Sequence, residues 1–239
     1  MKIKIFQKGF NYSEDGPGNR LVLHLQGCNL HCPWCSNPEG MSVFGGEERD
    51  VEELLEEIER CKRLFFDGGG VTATGGECTL QRDALLALAA GCKVRNIHFT
   101  IETNATCPYE ETLFENVDLI IVDCKHYDEA KLSERVGQVR GYQKNIADYL
   151  SSGKPVLVRT VLINGFNATK ADAEKFAAFF APLPTTNAQF EFLRYHEYGK
   201  AKWEKLGKAY QMQDAFVTEE TVKTFEDVFH QNHLKTIRS

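Results

Sequence analysis

Three features of the sequence predict an α/β fold built on a parallel sheet. Six apolar, β-rich runs recur along the chain: Leu21–Gln26, Val71–Thr74, Ile97–Thr103, Leu119–Asp123, Val156–Ile163 and Phe190–Arg194. Five of the six are followed by a helical pattern. No Gly/Ser linker, Pro-rich segment or repeat period divides the chain. Strand–helix alternation implies parallel strands joined by helical crossovers. Six units fall short of a full eight-unit barrel. They suit a partial (β/α)6 barrel or a doubly wound sheet, and in both architectures ligands sit at the carboxyl ends of the strands. One domain over residues 1–239 is the simplest organisation.

The helices follow in order. The clearest begins at Asp50, which can cap it, with Glu53 three positions on as in a capping box. Val51, Leu54, Leu55, Ile58 and Leu64–Phe65 then form one apolar stripe. Further helices are predicted at Leu80–Cys92, Tyr109–Asn116, Glu129–Ser151 and Thr169–Ala181. A last one runs from about Thr218 to His233, with Val222, Phe225, Val228 and Phe229 on its buried side.

Composition narrows the function classes. The 239 residues are 42% hydrophobic and 26% charged, an ordinary globular balance that argues against disorder. A net charge of −6 disfavours a general electrostatic grip on nucleic acid or an anionic membrane. The longest purely apolar run, Ala84 to Ala90, is far shorter than the about 20 residues of a membrane-spanning helix. The stretch Met1 to Lys8 lacks the apolar core of a secretion signal, so a cytoplasmic location is expected.

Cysteine placement carries the chemistry. Cys61, Cys78, Cys92, Cys107 and Cys124 are scattered and read as small apolar fillers, whereas Cys28, Cys32 and Cys35 cluster directly after the first apolar run. Their spacing is Cys-x3-Cys-x2-Cys. Three soft, anionic thiolates on one tight loop can hold three irons of a 4Fe–4S cluster, leaving the fourth iron open to a small molecule. Haem attachment would need a His after Cys35, where Ser36 stands. A thioredoxin-like pair should open a helix, but Ser36-Asn37-Pro38-Glu39-Gly40 breaks one. Zinc held by the three thiolates and His31 remains an alternative, strained by His31 standing next to Cys32.

Taken with Thr74-Gly75-Gly76-Glu77, the cysteine loop resembles the radical S-adenosylmethionine superfamily. Asp15-Gly16-Pro17-Gly18-Asn19-Arg20, Asp123-Cys124-Lys125-His126 and Tyr195-His196-Glu197-Tyr198-Gly199-Lys200-Ala201-Lys202-Trp203 narrow the resemblance to the glycyl-radical-enzyme activating enzymes, nearest to activators of the pyruvate formate-lyase type. The motifs run in order from about Phe6 to Tyr210 and are jointly specific. The resemblance implies a partial (β/α)6 barrel of the radical S-adenosylmethionine type.

It also implies a site. Cys28, Cys32 and Cys35 would hold the cluster, and Gly76 and Glu77 the methionine amino group of S-adenosylmethionine. Glu102, Asp123, Cys124, Lys125 and Arg159 would belong to the cofactor site, with Lys125 and His196 at its reactive end. Trp34 stands where the family places an aromatic in the segment that packs on the adenine, and Ser36 replaces a common His there. Glu102 and Ala105 replace the Asp and Gly of the usual Asp-Thr-Asn-Gly, where the Asp helps form a monovalent-cation site. Asp15 and Gly16 lie on the loop that seats the partner's glycine segment. Outside the family, Glu77 and Gly76 read as a plain strand-to-helix turn, Asp123 and Lys125 as a structural ion pair, and Arg159 as a buried cation that needs an acidic partner. His24, His98, His230 and His233 read as structural.

The implied reaction is reductive cleavage of S-adenosylmethionine to methionine and a 5′-deoxyadenosyl radical, which removes hydrogen from a glycine α-carbon of a large partner enzyme. Residues 36–74 contain only Cys61, so there is no ferredoxin-like insertion and the electron comes from an external flavodoxin or ferredoxin. Two rivals stand beside this reading: a radical enzyme acting on a small molecule, of a deazapurine-forming type, and a non-catalytic iron–sulfur carrier.

Overall fold

The computed structural model describes residues 1–238. Eight strands form an open sheet: β1 (Lys2–Tyr12), β2 (Asn19–Leu25), β3 (Glu47–Asp50), β4 (Gly70–Gly75), β5 (His98–Thr103), β6 (Leu119–Asp123), β7 (Val156–Leu162) and β8 (Ala188–Arg194), in the order β3-β1-β2-β4-β5-β6-β7-β8. The six apolar runs are β2 and β4–β8, and β6 coincides with its predicted span. The sheet is mostly parallel and does not close into a barrel. β2 pairs parallel with β4, β4 with β5, and β7 with β8.

Two strands had no apolar run to announce them. β1 alternates charge with Ile3 and Ile5, and only those two of its residues are buried. It pairs antiparallel with β2 on one side and with the four-residue β3, Glu-Glu-Arg-Asp, on the other. Pairing geometry rather than burial makes β3 a strand.

Eight α-helices accompany the strands: α1 (Val51–Arg60), α2 (Arg82–Val94), α3 (Glu111–Phe114), α4 (Glu129–Val136), α5 (Tyr142–Ser151), α6 (Lys170–Phe180), α7 (Lys200–Lys205) and α8 (Glu219–Gln231). Asp50 caps α1 by accepting from the Glu52 N–H at 2.9 Å, but the reciprocal capping box forms at α6, between Thr169 and Asp172. α1 ends at Arg60, so Leu64 is exposed rather than continuing its stripe. The single helix predicted over Glu129–Ser151 is two. Gly137 and Gly141, with φ of 99° and 69°, break it in a backbone region that side chains avoid. α7 lies in a stretch read only as a motif.

The chain packs as two compact units. One holds Met1–Asn29, Glu39–Thr103 and Tyr109–Ile121. The other holds Leu30–Pro38, Asn104–Pro108 and the described chain from Val122 onward. The first is centred on β2, β4 and β5, with Leu21, Leu23, Val71, Ala73, Phe99 and Ile101 buried. The second is centred on an aromatic core across β8, α6 and α8, in which Phe180, Phe190, Phe192 and Phe229 meet edge to face and Phe225 packs tilted on Phe192. No helix among the described residues is long and apolar enough to cross a membrane.

Candidate functional site

In the first unit the carboxyl end of β4 is drawn tightly onto the start of the cysteine loop. The Gly76 N–H donates to Leu25 O and the Glu77 N–H to Gly27 O, at 2.9 and 2.8 Å. A Cβ on Gly76 would overlap the Gly27 carbonyl, so only glycine permits this approach. Glu77 is fully buried. Its Oε1 accepts from the Thr79 N–H, the Thr79 hydroxyl and the Thr103 hydroxyl at 3.2, 2.5 and 2.8 Å. Three donors on one oxygen fix the carboxylate and cap the short 3-10 turn Cys78–Gln81. Glu102 lies alongside, as β4–β5 pairing requires: its Oε2 accepts from the Thr74 hydroxyl at 2.8 Å. Cys28 opens the loop with its N–H on Met41 O, 3.2 Å away.

The second unit holds the rest of the cysteine loop. Cys32 is buried and Cys35 half-buried, and the Cys35 N–H closes a turn on Cys32 O at 3.1 Å. The Asn37 N–H points at Cys35 Sγ, 3.4 Å away. Trp34 packs on Phe166 with ring centroids 5.2 Å apart, beside a cluster of Ile163, Tyr195 and Ala215. The motif Tyr195–Trp203 lies on this loop. The Trp203 indole N–H donates to Cys35 O at 2.9 Å, and Lys202 Nζ donates to Asn37 Oδ1 at 2.6 Å. A Cβ on Gly199 would overlap the Cys35 carbonyl. His196, at the end of β8, stacks on Tyr198 with centroids 4.0 Å apart, and its Nδ1 accepts from the Tyr198 N–H.

Asp123 and Lys125 share one face at the end of β6, as alternation requires, and form an ion pair with Lys125 nine-tenths buried. The Lys125 main chain is fixed from both sides: its N–H donates to Tyr142 Oη at 2.7 Å and its carbonyl accepts from Asn167 Nδ2 at 3.0 Å. Cys124 points away into the packing. Burial pushes its thiol up to about 12, and Cys92 likewise, so both behave as inert fillers. Arg159 finds the acidic partner that its burial demanded. Its Nε donates to Glu191 Oε2 at 2.7 Å between register partners on β7 and β8.

Asp15 and Gly16 lie elsewhere. Their loop precedes β2, at the amino end of the strands of the first unit, whereas Gly75–Glu77 follow β4 at the carboxyl end. Six residues of strand separate the two ends, about 20 Å. Arg20, fully buried, ties the loop to the sheet by donating to Pro17 O, Thr72 Oγ1, Val71 O and Thr100 Oγ1. The Thr72 hydroxyl in turn donates to Asp15 O at 2.7 Å. Sequence reasoning passed over Arg20, Glu191 and the contacts of Lys202 and Trp203. An arginine directly before the apolar run Leu21–Gln26 signalled the first, but no local pattern signals the others.

A family model described as the radical SAM superfamily matches residues 22–179. The chain belongs to that superfamily. A pyruvate formate-lyase-activating enzyme of Staphylococcus aureus (strain USA300) is 37% identical over 211 residues, 84% of each chain. This chain is therefore a radical SAM enzyme of the pyruvate formate-lyase-activating type. A solved domain of such an enzyme from Bacteroides vulgatus matches with a TM-score of 0.58 at 25% identity, over 72% of this chain and 99% of that one. A radical SAM methyltransferase from Sphaerobacter thermophilus shares the fold, with a TM-score of 0.63 at 14% identity over all of this chain and 76% of that one.

The family implies a 4Fe–4S cluster and S-adenosylmethionine, and the donor set suits them. Three thiols within eight residues offer soft anionic ligands. Among the described residues no three Cys, His, Asp or Glu side chains are already gathered as a closed metal site.

Proposed function

We propose that this enzyme activates a partner glycyl radical enzyme of the pyruvate formate-lyase kind by taking one hydrogen from a glycine α-carbon of that partner. The match over 211 residues to a pyruvate formate-lyase-activating enzyme carries this reading. When bound, the cluster and S-adenosylmethionine supply the electron and the radical chemistry. The chain supplies position and charge.

Cys28, Cys32 and Cys35 hold the cluster. Gly76 and Glu77 receive the methionine amine, at a turn pre-set by the three donors on Glu77 Oε1. Asp123 and Lys125, locked to each other and to β6, hold the polar end of the cofactor, with Cys124 in the wall behind them. Glu102 takes the place of the Asp that helps form a monovalent-cation site. Arg159, Trp34, Ser36 and His196 complete the surroundings of the adenosine. Asp15 and Gly16 seat the partner's glycine segment from the amino end of the strands. That placement requires the segment to run the length of the strands to reach the chemistry. Flavodoxin or ferredoxin delivers the electron. The enzyme works in the cytoplasm as one functional domain.

Isotope transfer tests the reading. Pyruvate formate-lyase carrying α-deuterated glycine is incubated anaerobically with reconstituted enzyme, reductant and S-adenosylmethionine. Deuterium appearing in 5′-deoxyadenosine supports hydrogen removal from the partner. 5′-Deoxyadenosine formed without deuterium contradicts it. In the same system Lys125→Ala weakens S-adenosylmethionine binding by roughly ten- to hundredfold, the effect of losing a charge-assisted contact. Unchanged calorimetric affinity would make the Asp123–Lys125 pair purely structural.

A further inference from the structure

We infer that α7 is a positioning device for the third cysteine: Trp203 and Lys202 fix the 35–37 segment so that the Asn37 N–H is held on Cys35 Sγ, and they thereby set the reduction potential of the cluster bound there. The inference rests on the proposed role of Cys35 as a cluster ligand.

The N–H to sulfur contact of 3.4 Å is the tuning element. Hydrogen bonds to cluster sulfurs draw charge off the thiolate and stabilise the more negative reduced state, which raises the potential. The segment 35–37 carries both members of this bond. It lies between the turn closed by the Cys35 N–H on Cys32 O and the 3-10 turn Pro38–Gly40, and it has no regular structure itself.

Its anchors come from 165 and 168 residues away. The Trp203 indole N–H holds the carbonyl of Cys35, the residue that carries the sulfur. Lys202 Nζ holds the side chain of Asn37, the residue that carries the N–H. Gly199 closes the same turn against the Cys35 carbonyl. The two anchors therefore bracket the N–H to sulfur bond, one on its acceptor residue and one on its donor residue. The strap is itself rigid. Backbone N–H groups of Lys202 and Trp203 both donate to Gly199 O, at 2.8 and 3.1 Å, and the Trp203 ring meets Tyr210 edge-on. The arrangement constrains direction as well as distance, and potential tuning depends on direction.

Trp203→Phe keeps an aromatic ring and removes the donor, while Lys202→Met removes the other anchor. Reconstituted proteins are first checked for iron and sulfide, then titrated with monitoring by electron paramagnetic resonance. The midpoint should move negative in both variants. At the wild-type midpoint the reduced-to-oxidised ratio should fall by roughly three- to tenfold, tenfold being about 59 mV for one electron. Lys205→Met, on the exposed side of the same turn, should leave it unchanged. In the cluster-free protein, amide exchange across 35–37 should accelerate in Trp203→Phe at unaltered global stability.

Midpoints equal to wild type in both variants, at full cluster content, overturn the inference. So does unaltered exchange across 35–37. A wild-type protein that takes up no cluster at all overturns instead the ligand role of Cys35 on which the inference stands.

Discussion

Arg20 and Arg159 are both buried cations in parallel strands, one in each compact unit, and the two units accommodate them by different means. Arg159 meets a carboxylate, Glu191, at 2.7 Å on the adjacent strand. Arg20 is surrounded by neutral acceptors: Pro17 O at 3.0 Å, Val71 O at 2.8 Å, Thr72 Oγ1 at 2.7 Å and Thr100 Oγ1 at 2.9 Å. Burial among such groups pushes its guanidinium down to about 10, against the pull of Asp15 and Asp118. The ion pair joins two adjacent strands through one charged contact. A web of neutral acceptors joins everything that owns an acceptor. Here it joins β2, β4 and β5 to the loop that carries Asp15 and Gly16. The first arrangement is replaceable as a pair, and the second is an organising centre with no single partner.

The largest effect falls on the ion pair. Arg159→Met leaves Glu191 buried without its cation and should cost about 3–5 kcal/mol in urea unfolding. Adding Glu191→Leu should recover most of that, because apolar replacement of a whole buried pair is close to neutral. A double variant no more stable than the single would show that the pair is part of a wider network.

Arg20→Met should cost less, about 1–3 kcal/mol, since neutral carbonyls and hydroxyls tolerate a lost donor better than a carboxylate tolerates a lost cation. Its recovery should fail where the other succeeds. Thr72→Val removes one orphaned acceptor but also the hydroxyl that holds Asp15 O, so the double variant should be looser still around 13–18. Limited proteolysis of that loop reads the difference. If Thr72→Val restores stability to Arg20→Met, the web reduces to one contact and the contrast with Arg159 disappears.

The smallest effect is on pH dependence. Burial, and then the facing charge of Arg20, hold His98 below its ordinary 6.5. Its Nδ1 lies 3.2 Å from Arg20 Nη2. The unfolded chain therefore binds a proton at His98 before the folded one does. This contribution to stability is present above 6.5, is lost as the pH falls through it, and levels off only below the folded value. His126, lowered by burial and then by Lys131, adds a loss of the same sign that owes nothing to Arg20. Unfolding midpoints at about pH 7.5 and about pH 5.5 should converge in Arg20→Met relative to wild type. An equal pH loss in both proteins would remove Arg20 from the environment of His98.

The same contrast marks how far the sequence could be read. β2 and β4–β8 were legible because strands buried on both faces must be continuously apolar. β1 and β3 were not, since charged residues become strand there only through pairing with β2 and with each other. The helix break at Gly137 and Gly141 lay in view, but the pattern on either side is equally helical. For Arg159 the sequence called for an acid, and register names it as Glu191. At the site, cysteine spacing announced itself within eight residues. The hold of Trp203 on Cys35 O could not, because a contact across 168 residues exists only once the second unit has folded.

The proposed hydrogen removal leaves a radical on a glycine of the partner enzyme, and that radical is the most direct readout. Reconstituted protein, S-adenosylmethionine and reductant are mixed anaerobically with pyruvate formate-lyase and frozen for electron paramagnetic resonance. A glycyl doublet, split by the remaining α-hydrogen, should appear only with both this protein and S-adenosylmethionine present, and should vanish when Cys28, Cys32 or Cys35 is changed to Ala. Steady production of 5′-deoxyadenosine with no doublet on the partner would contradict the proposed hydrogen removal.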